Sequence, residues 1–188
     1  MNKNNYEIEY KYLVDKIPFD KNLYYEKKYI EQIYFQTNDN INNQLMDLLN
    51  LDTLDNINTF RVRKIIKDSN ISYIITLKSK GKLIREEYET EISEDLYLYL
   101  GKDSTNKVIK NRYVFNIDDY TFEFDEYLNI NNDILTVEVE VDSLDINIKN
   151  KIEKIMNDKL DLKFNDVTNE KKYKNKYLVE SFGIKKID

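Results

Sequence analysis

The 188-residue sequence has no cysteine, no histidine and no tryptophan, and only three glycines and one proline. Without cysteine there is no disulfide framework, thiolate nucleophile, iron–sulfur cluster or cysteine zinc site. Without histidine the commonest neutral-pH base and the commonest transition-metal ligand are both missing. Chemistry is left to Asp, Glu, Lys, Arg, Tyr and hydroxyl groups, a donor set that suits Mg²⁺ or Mn²⁺ better than zinc. No apolar run approaches the ~18 residues of a membrane span. The stretch from Asn2 to Tyr12 is polar and carries both signs of charge, so no signal peptide is expected. These absences point to a cytoplasmic protein with no membrane partner. Gly-rich phosphate loops and nucleophile elbows are missing too.

What is present is charge and aromatic surface. Twenty-nine basic and 35 acidic side chains leave a formal charge of −6, which counts against duplex nucleic acid as a partner. Sixteen Tyr and eight Phe supply large apolar faces, and the length suits one domain over residues 1–188. Several segments alternate with period two. Glu7, Glu9 and Lys11 share a face, as do Arg61 with Arg63, Thr76 with Lys78, and Glu87, Glu89 and Glu91. Lys110 with Arg112, Glu123 with Asp125, and Glu138 with Glu140 repeat the pattern. These are strands of an antiparallel, mainly β body.

Helices are expected at Glu94–Leu100, capped by Ser93 and stopped by Gly101, at Asn150–Leu160, and at Tyr173–Phe182 before Gly183. Pro18 precedes an expected helical turn over Asp20–Lys27, leading to a strand near Tyr29–Phe35. Residues 37–58 are the least regular stretch. Their cluster of Leu45, Met46, Leu48, Leu49 and Leu51 suggests a loop with a short amphipathic helix, either a lid or a surface elaboration. Lys64, Lys67 and the basic run Lys78–Lys82 read as solvated surface, Lys78 excepted.

An ordinary half-buried strand shows water a mixture of polar types. Here the polar faces are almost wholly Asp, Glu, Lys or Arg, with basic and acidic pairs on separate strands. A closed barrel with these faces turned inward accommodates them if its lumen is wet and ion-compensated. Lys11, Arg61, Arg63, Lys78, Arg85, Lys110 and Arg112 then receive a highly charged oxyanion. Glu7, Glu9, Asp125, Glu138 and Glu140 are the candidate ligands for divalent cations, with Glu87, Glu89 and Glu123 in support.

The ordered motifs carry a resemblance. Glu7-Ile8-Glu9-Tyr10-Lys11 resembles the N-terminal ExExK signature of the CYTH proteins, the triphosphate tunnel metalloenzymes. Arg61-Val62-Arg63, Thr76-Leu77-Lys78, Arg85 with Glu87 and Glu89, Lys110-Asn111-Arg112, Glu123-Phe124-Asp125 and Glu138-Val139-Glu140 continue it in order. Tyr173-Lys174-Asn175-Lys176-Tyr177-Leu178 is similar to the family's closing Tyr-x-Asn-x-x-Leu. Gln32-Ile33-Tyr34-Phe35 and Arg85–Glu91 look most like the compact bacterial tripolyphosphatase group. The 37–58 segment departs from it, because compact members reach the Arg-x-Arg strand by a shorter connection.

The resemblance implies a closed eight-stranded antiparallel tunnel with peripheral and C-terminal helices that binds a triphosphate. The expected reaction is metal-dependent hydrolysis of inorganic triphosphate to pyrophosphate and phosphate, with Mg²⁺ or Mn²⁺ bridging carboxylates and phosphate oxygens. Lys11 stands beside the terminal phosphate. Tyr34, implied to pair with Lys110, and an ion-activated water are the two candidate bases. Nucleoside or thiamine triphosphate hydrolysis and class IV-type adenylyl cyclisation are the enzymatic alternatives. A polyphosphate or RNA 5′-end binding module is the non-catalytic one. A homodimer is permitted but not required, since a closed tunnel leaves no strand edge.

Overall fold

Alternation of apolar and charged residues builds nine strands in the computed structural model, which describes residues 6–81, 84–143 and 145–186. They are β1 (Tyr6–Val14), β2 (Tyr25–Tyr34), β3 (Ile57–Lys67), β4 (Asn70–Ser79), β5 (Ile84–Glu91), β6 (Lys107–Ile117), β7 (Tyr120–Tyr127), β8 (Leu135–Glu140) and β9 (Phe164–Asp166). Lys82 of the basic run and the outermost residues of the 1–188 domain lie outside the described residues.

The strand order is β5-β4-β3-β2-β6-β7-β8-β1-β9, and a β1–β5 pairing closes the first eight into an antiparallel barrel. One edge of β1 runs along β8 from Glu9 to Leu13. Its other edge is shared by β5, along Tyr6–Ile8, and by the short β9, along Tyr12–Val14. With so few glycines, the left-handed turn positions fall to Asn and Asp, whose short polar side chains tolerate them. Asp68 (φ 54°) turns β3 into β4, and Asp118 (φ 53°) turns β6 into β7.

The barrel is inside out relative to an ordinary globular core: its apolar faces point outward and are covered by helices. Helix α3 (Ile146–Asp158) buries Ile152, Ile155 and Met156 against Tyr10, Tyr12, Phe122, Phe124, Val137 and Val139. Helix α1 (Asp39–Leu49) is capped by Asn38, whose Oδ1 accepts from the Ile41 amide at 3.0 Å. It buries Leu45 in a cluster with Ile33, Phe35, Val62 and Ile75. Helix α2 (Glu94–Gly101) adds Tyr97 and Leu100 to that cluster, and Ser93 caps it as expected.

Four expectations need correction. The 37–58 helix is no lid: Leu45 needs an apolar partner, and the outward faces of β2, β3 and β4 provide it, so α1 clamps the outer wall. Tyr173–Phe182 is not one helix but two 3₁₀ turns, Lys171–Tyr173 and Asn175–Tyr177, and a five-residue α4 (Leu178–Phe182). Tertiary contacts override its helical pattern there, because Leu178 is drawn into a buried cluster with Val108, Tyr127, Ile130 and Ile134. The turn after Pro18 is confined to Phe19–Lys21, and β2 begins at Tyr25, where Tyr25 packs on Phe19 and Phe115. Helix α3 starts at Ile146 rather than Asn150, capped by Asp145. Among the described residues no helix is long and apolar enough to cross a membrane.

Candidate active site

The inward faces of the eight barrel strands surround a cavity of about 1140 Å³. Strand β1 places Glu7, Glu9 and Lys11 there, β2 Gln32 and Tyr34, β3 Arg61 and Arg63, and β4 Lys78. Strand β5 contributes Arg85, Glu87 and Glu89, β6 Lys110 and Arg112, β7 Glu123, and β8 Glu138 and Glu140. Asp125 differs from the other sequence-derived candidates. It faces inward but is fully buried beneath Lys110 and Arg112, with Oδ1 held by Arg112 Nε (2.7 Å) and Oδ2 by Lys110 Nζ (2.5 Å) and Arg112 Nη2 (2.7 Å).

The lining is a set of shared ion pairs. Glu7 receives both Lys78, at 2.6 Å, and Arg85, at 3.1 Å, while Lys78 also reaches Glu87 at 3.0 Å. Glu138 lies between Lys11 (2.8 Å) and Arg112 (2.6 Å). Arg63 pairs with Glu89, and Arg112 also with Glu123. Thr76 Oγ1 accepts from Arg61 and Arg63 and donates to Glu89. Among the described residues, the Nε atoms of Arg61 and Arg63 are buried with no hydrogen-bond acceptor. Guanidinium groups that line the cavity and retain unsatisfied donors are suited to an anionic oxygen ligand.

Protonation follows from this packing. Burial, then the Glu138 and Glu7 carboxylates, push the Glu9 carboxyl up to about 7. Burial and the acidic neighbours Glu7, Glu123 and Glu87 also raise Glu140. At Glu138 burial opposes ionisation, but Lys11, Arg112 and Lys110 outweigh it and hold the carboxyl well below its usual range. Burial and the Arg112 charge pull the Lys110 ammonium down to about 8 despite Asp125.

The implied Tyr34–Lys110 pairing does not form. Lys110 stands opposite Ile30 in the β2–β6 ladder, whereas the Tyr34 amide bonds to Asn106, four residues away along β6. Lys110 instead meets Asp125 and lies over the Tyr127 ring. Tyr34 accepts a hydrogen bond from Gln32 Nε2 at 2.7 Å. Burial raises its pKa, against the pull of Arg61 and Lys11, so the phenol stays protonated near neutral pH.

Sequence reasoning gave no site role to Gln32, Tyr127 or the C-terminal segment, although Gln32 and Lys174-Asn175-Lys176 stand inside the quoted family-like motifs. Tyr127 continues the same-face series Glu123, Asp125, and extending that series by one step finds it. Gln32 precedes Tyr34 in the same way. Lys174, Asn175 and Lys176 line the cavity from an irregular segment that carries no periodicity to read.

The CYTH domain profile matches residues 5–174. The chain belongs to the CYTH family. Among solved structures, the inorganic triphosphatase NE1496 is 26% identical, with 92% of this chain and 93% of that chain covered and a TM-score of 0.54. The PH1819 protein from Pyrococcus horikoshii OT3 shares the CYTH barrel at 22% identity and a TM-score of 0.57, covering 85% and 93%. HpAC1 from Hippeastrum shares it at 15% identity and a TM-score of 0.55, covering 81% and 87%. No curated protein matches the chain.

CYTH enzymes use divalent cations. Among the described residues no three carboxylates converge as a ready-made metal cluster. The donor chemistry nevertheless fits a hard dication, since Glu9 and Glu140 offer carboxylate oxygens whose ionised forms are disfavoured by burial and by neighbouring negative charge.

Proposed function

We propose that this protein is a metal-dependent triphosphatase that hydrolyses inorganic triphosphate to pyrophosphate and orthophosphate. The carrying observation is the barrel lumen, lined by buried guanidinium and ammonium groups paired with carboxylates, with a volume large enough for a triphosphate. The 26% identity to an inorganic triphosphatase supports the same reaction class.

Arg61, Arg63, Arg85 and Arg112 bind phosphate oxygens through their planar donor forks, and Lys11, Lys78 and Lys110 act as point charges. Much of this attraction serves binding alone. Only the part that strengthens as charge develops on the leaving oxygens accelerates the reaction. Glu7, Glu9, Glu138 and Glu140 would hold Mg²⁺ or Mn²⁺, which neutralises phosphate charge and activates water. Asp125 serves from beneath Lys110 and Arg112 by fixing both. Tyr34, protonated, donates a hydrogen bond to the phosphate chain and is not the base. A cytoplasmic location agrees with such a phosphorylated substrate.

The lumen exceeds the roughly 300–1,000 Å³ typical of small-molecule sites, so an organic triphosphate also fits. Initial rates of phosphate release from tripolyphosphate, ATP and thiamine triphosphate, each with Mg²⁺, Mn²⁺ or chelator, test the proposal. Metal-dependent release, fastest from tripolyphosphate, is expected. Tight binding of tripolyphosphate without release would instead identify a polyphosphate-binding module.

A further inference from the structure

An ammonium group has three N–H donors. At Lys11 three acceptors from three elements take them: Glu138 Oε1 on β8 at 2.8 Å, Tyr127 Oη on β7 at 3.3 Å, and Asn175 Oδ1 from the C-terminal segment at 3.1 Å. A lysine side chain is a flexible four-carbon stem, and one charged partner does not fix where its head points. The two neutral acceptors complete the fixation, and they are not independent. Asn175 Oδ1 also accepts the hydrogen of Tyr127 Oη, at 2.5 Å, which leaves a lone pair of that phenol facing Lys11. The alternative partner of the same hydroxyl is Thr136 Oγ1, at 3.2 Å. Remove Asn175, and the Tyr127 hydroxyl is free to turn to Thr136 while Lys11 loses a direct acceptor. One neutral oxygen therefore orients both groups.

We infer that Asn175 is a positioning residue whose Oδ1 fixes where the Lys11 point charge stands beside the phosphate chain in the lumen. The inference rests on the triphosphatase reading above. Neutrality belongs to the role: Lys11 already shares Glu138 with Arg112. A carboxylate in place of Asn175 would cancel the remaining attraction and confront a polyanion with added negative charge.

Steady-state phosphate release from tripolyphosphate with Mg²⁺ is measured for the parent, Asn175→Ala, Asn175→Asp and Asn106→Ala. Asn106 is the control, because its Nδ2 anchors the same segment through the Lys176 carbonyl at 2.8 Å without touching Lys11. Asn175→Ala is expected to lower kcat roughly 10-fold to 100-fold with little change in KM, the range typical of losing an outer partner that orients an active group. Asn175→Asp, near-isosteric and therefore folded, is expected to raise KM by about tenfold. Asn106→Ala should stay within about twofold of the parent, since it leaves the Lys11 contacts in place. A parent without turnover overturns the triphosphatase reading itself. With an active parent, the positioning role falls if Asn175→Ala matches the parent, if Asn175→Asp does so, or if Asn106→Ala reproduces the loss seen in Asn175→Ala.

Discussion

Glu9 ties the proposed metal binding to the stability of the lumen through one carboxyl. Its carboxyl titrates near 7 in the fold against about 4.5 as an ordinary glutamate. A raised acid favours folding in its protonated form. Its contribution is therefore complete below about pH 4.5 and is lost as pH rises through about 7. In chelator, Glu9→Gln should melt higher than the parent near pH 8, and the gap should shrink near pH 5; a gap independent of pH would remove the raised carboxyl from the account. The same substitution should lower Mg²⁺-dependent phosphate release by about 100-fold or more if Glu9 is a ligand. Alternation alone made almost all of these lumen residues legible, because period two in a strand assigns a face without any knowledge of the partner strands. Depth and pairing were not legible. Asp125 reads identically to Glu123, yet only the structure shows both of its oxygens consumed by Lys110 and Arg112.

At the scale of elements, the leucine cluster in residues 37–58 announced a helix but not where it docks. Docking depends on Ile33, Val62 and Ile75, which lie on three different strands, and on Phe35 just past the end of β2. Leu45→Ala should cost ~2–5 kcal/mol of unfolding free energy by opening a cavity in that cluster. Turnover at a temperature where the variant stays folded should be unaltered. A large loss of turnover with normal stability would instead tie α1 to the lumen. Strand β9 escaped notice because three residues carry too little pattern; it exists only because the Tyr12–Val14 edge of β1 lies open beyond β5. The broken C-terminal helix escaped for a related reason, since Leu178 and Asn175 both answer to partners far away in sequence.

At the scale of the whole molecule the lumen gathers charges of both signs. The chain is net acidic at −6, yet Lys11, Arg61, Arg63, Lys78, Arg85, Lys110 and Arg112 stand in the lumen beside its carboxylates. Attraction of a polyanion into that space is electrostatic, so KM for tripolyphosphate should rise as KCl increases from about 0.05 to about 0.3 M, while kcat changes little. A flat KM would show that the interior cations do not draw the substrate in. Closure of the barrel was legible only through resemblance, since no local pattern reports that Glu7 stands opposite Arg85. The shared counter-ions have a consequence for how such an interior can diverge. Glu138 serves Lys11 and Arg112, Glu7 serves Lys78 and Arg85, and Asp125 serves Lys110 and Arg112. Deleting Glu138 or Asp125 strands a desolvated Lys11 or Lys110, whereas loss of Glu7 leaves Lys78 on Glu87 and Arg85 on Glu9. Drift at Glu138 and Asp125 must then proceed by compensated doublets, and descendants of this sequence will exchange acid and base there together or not at all.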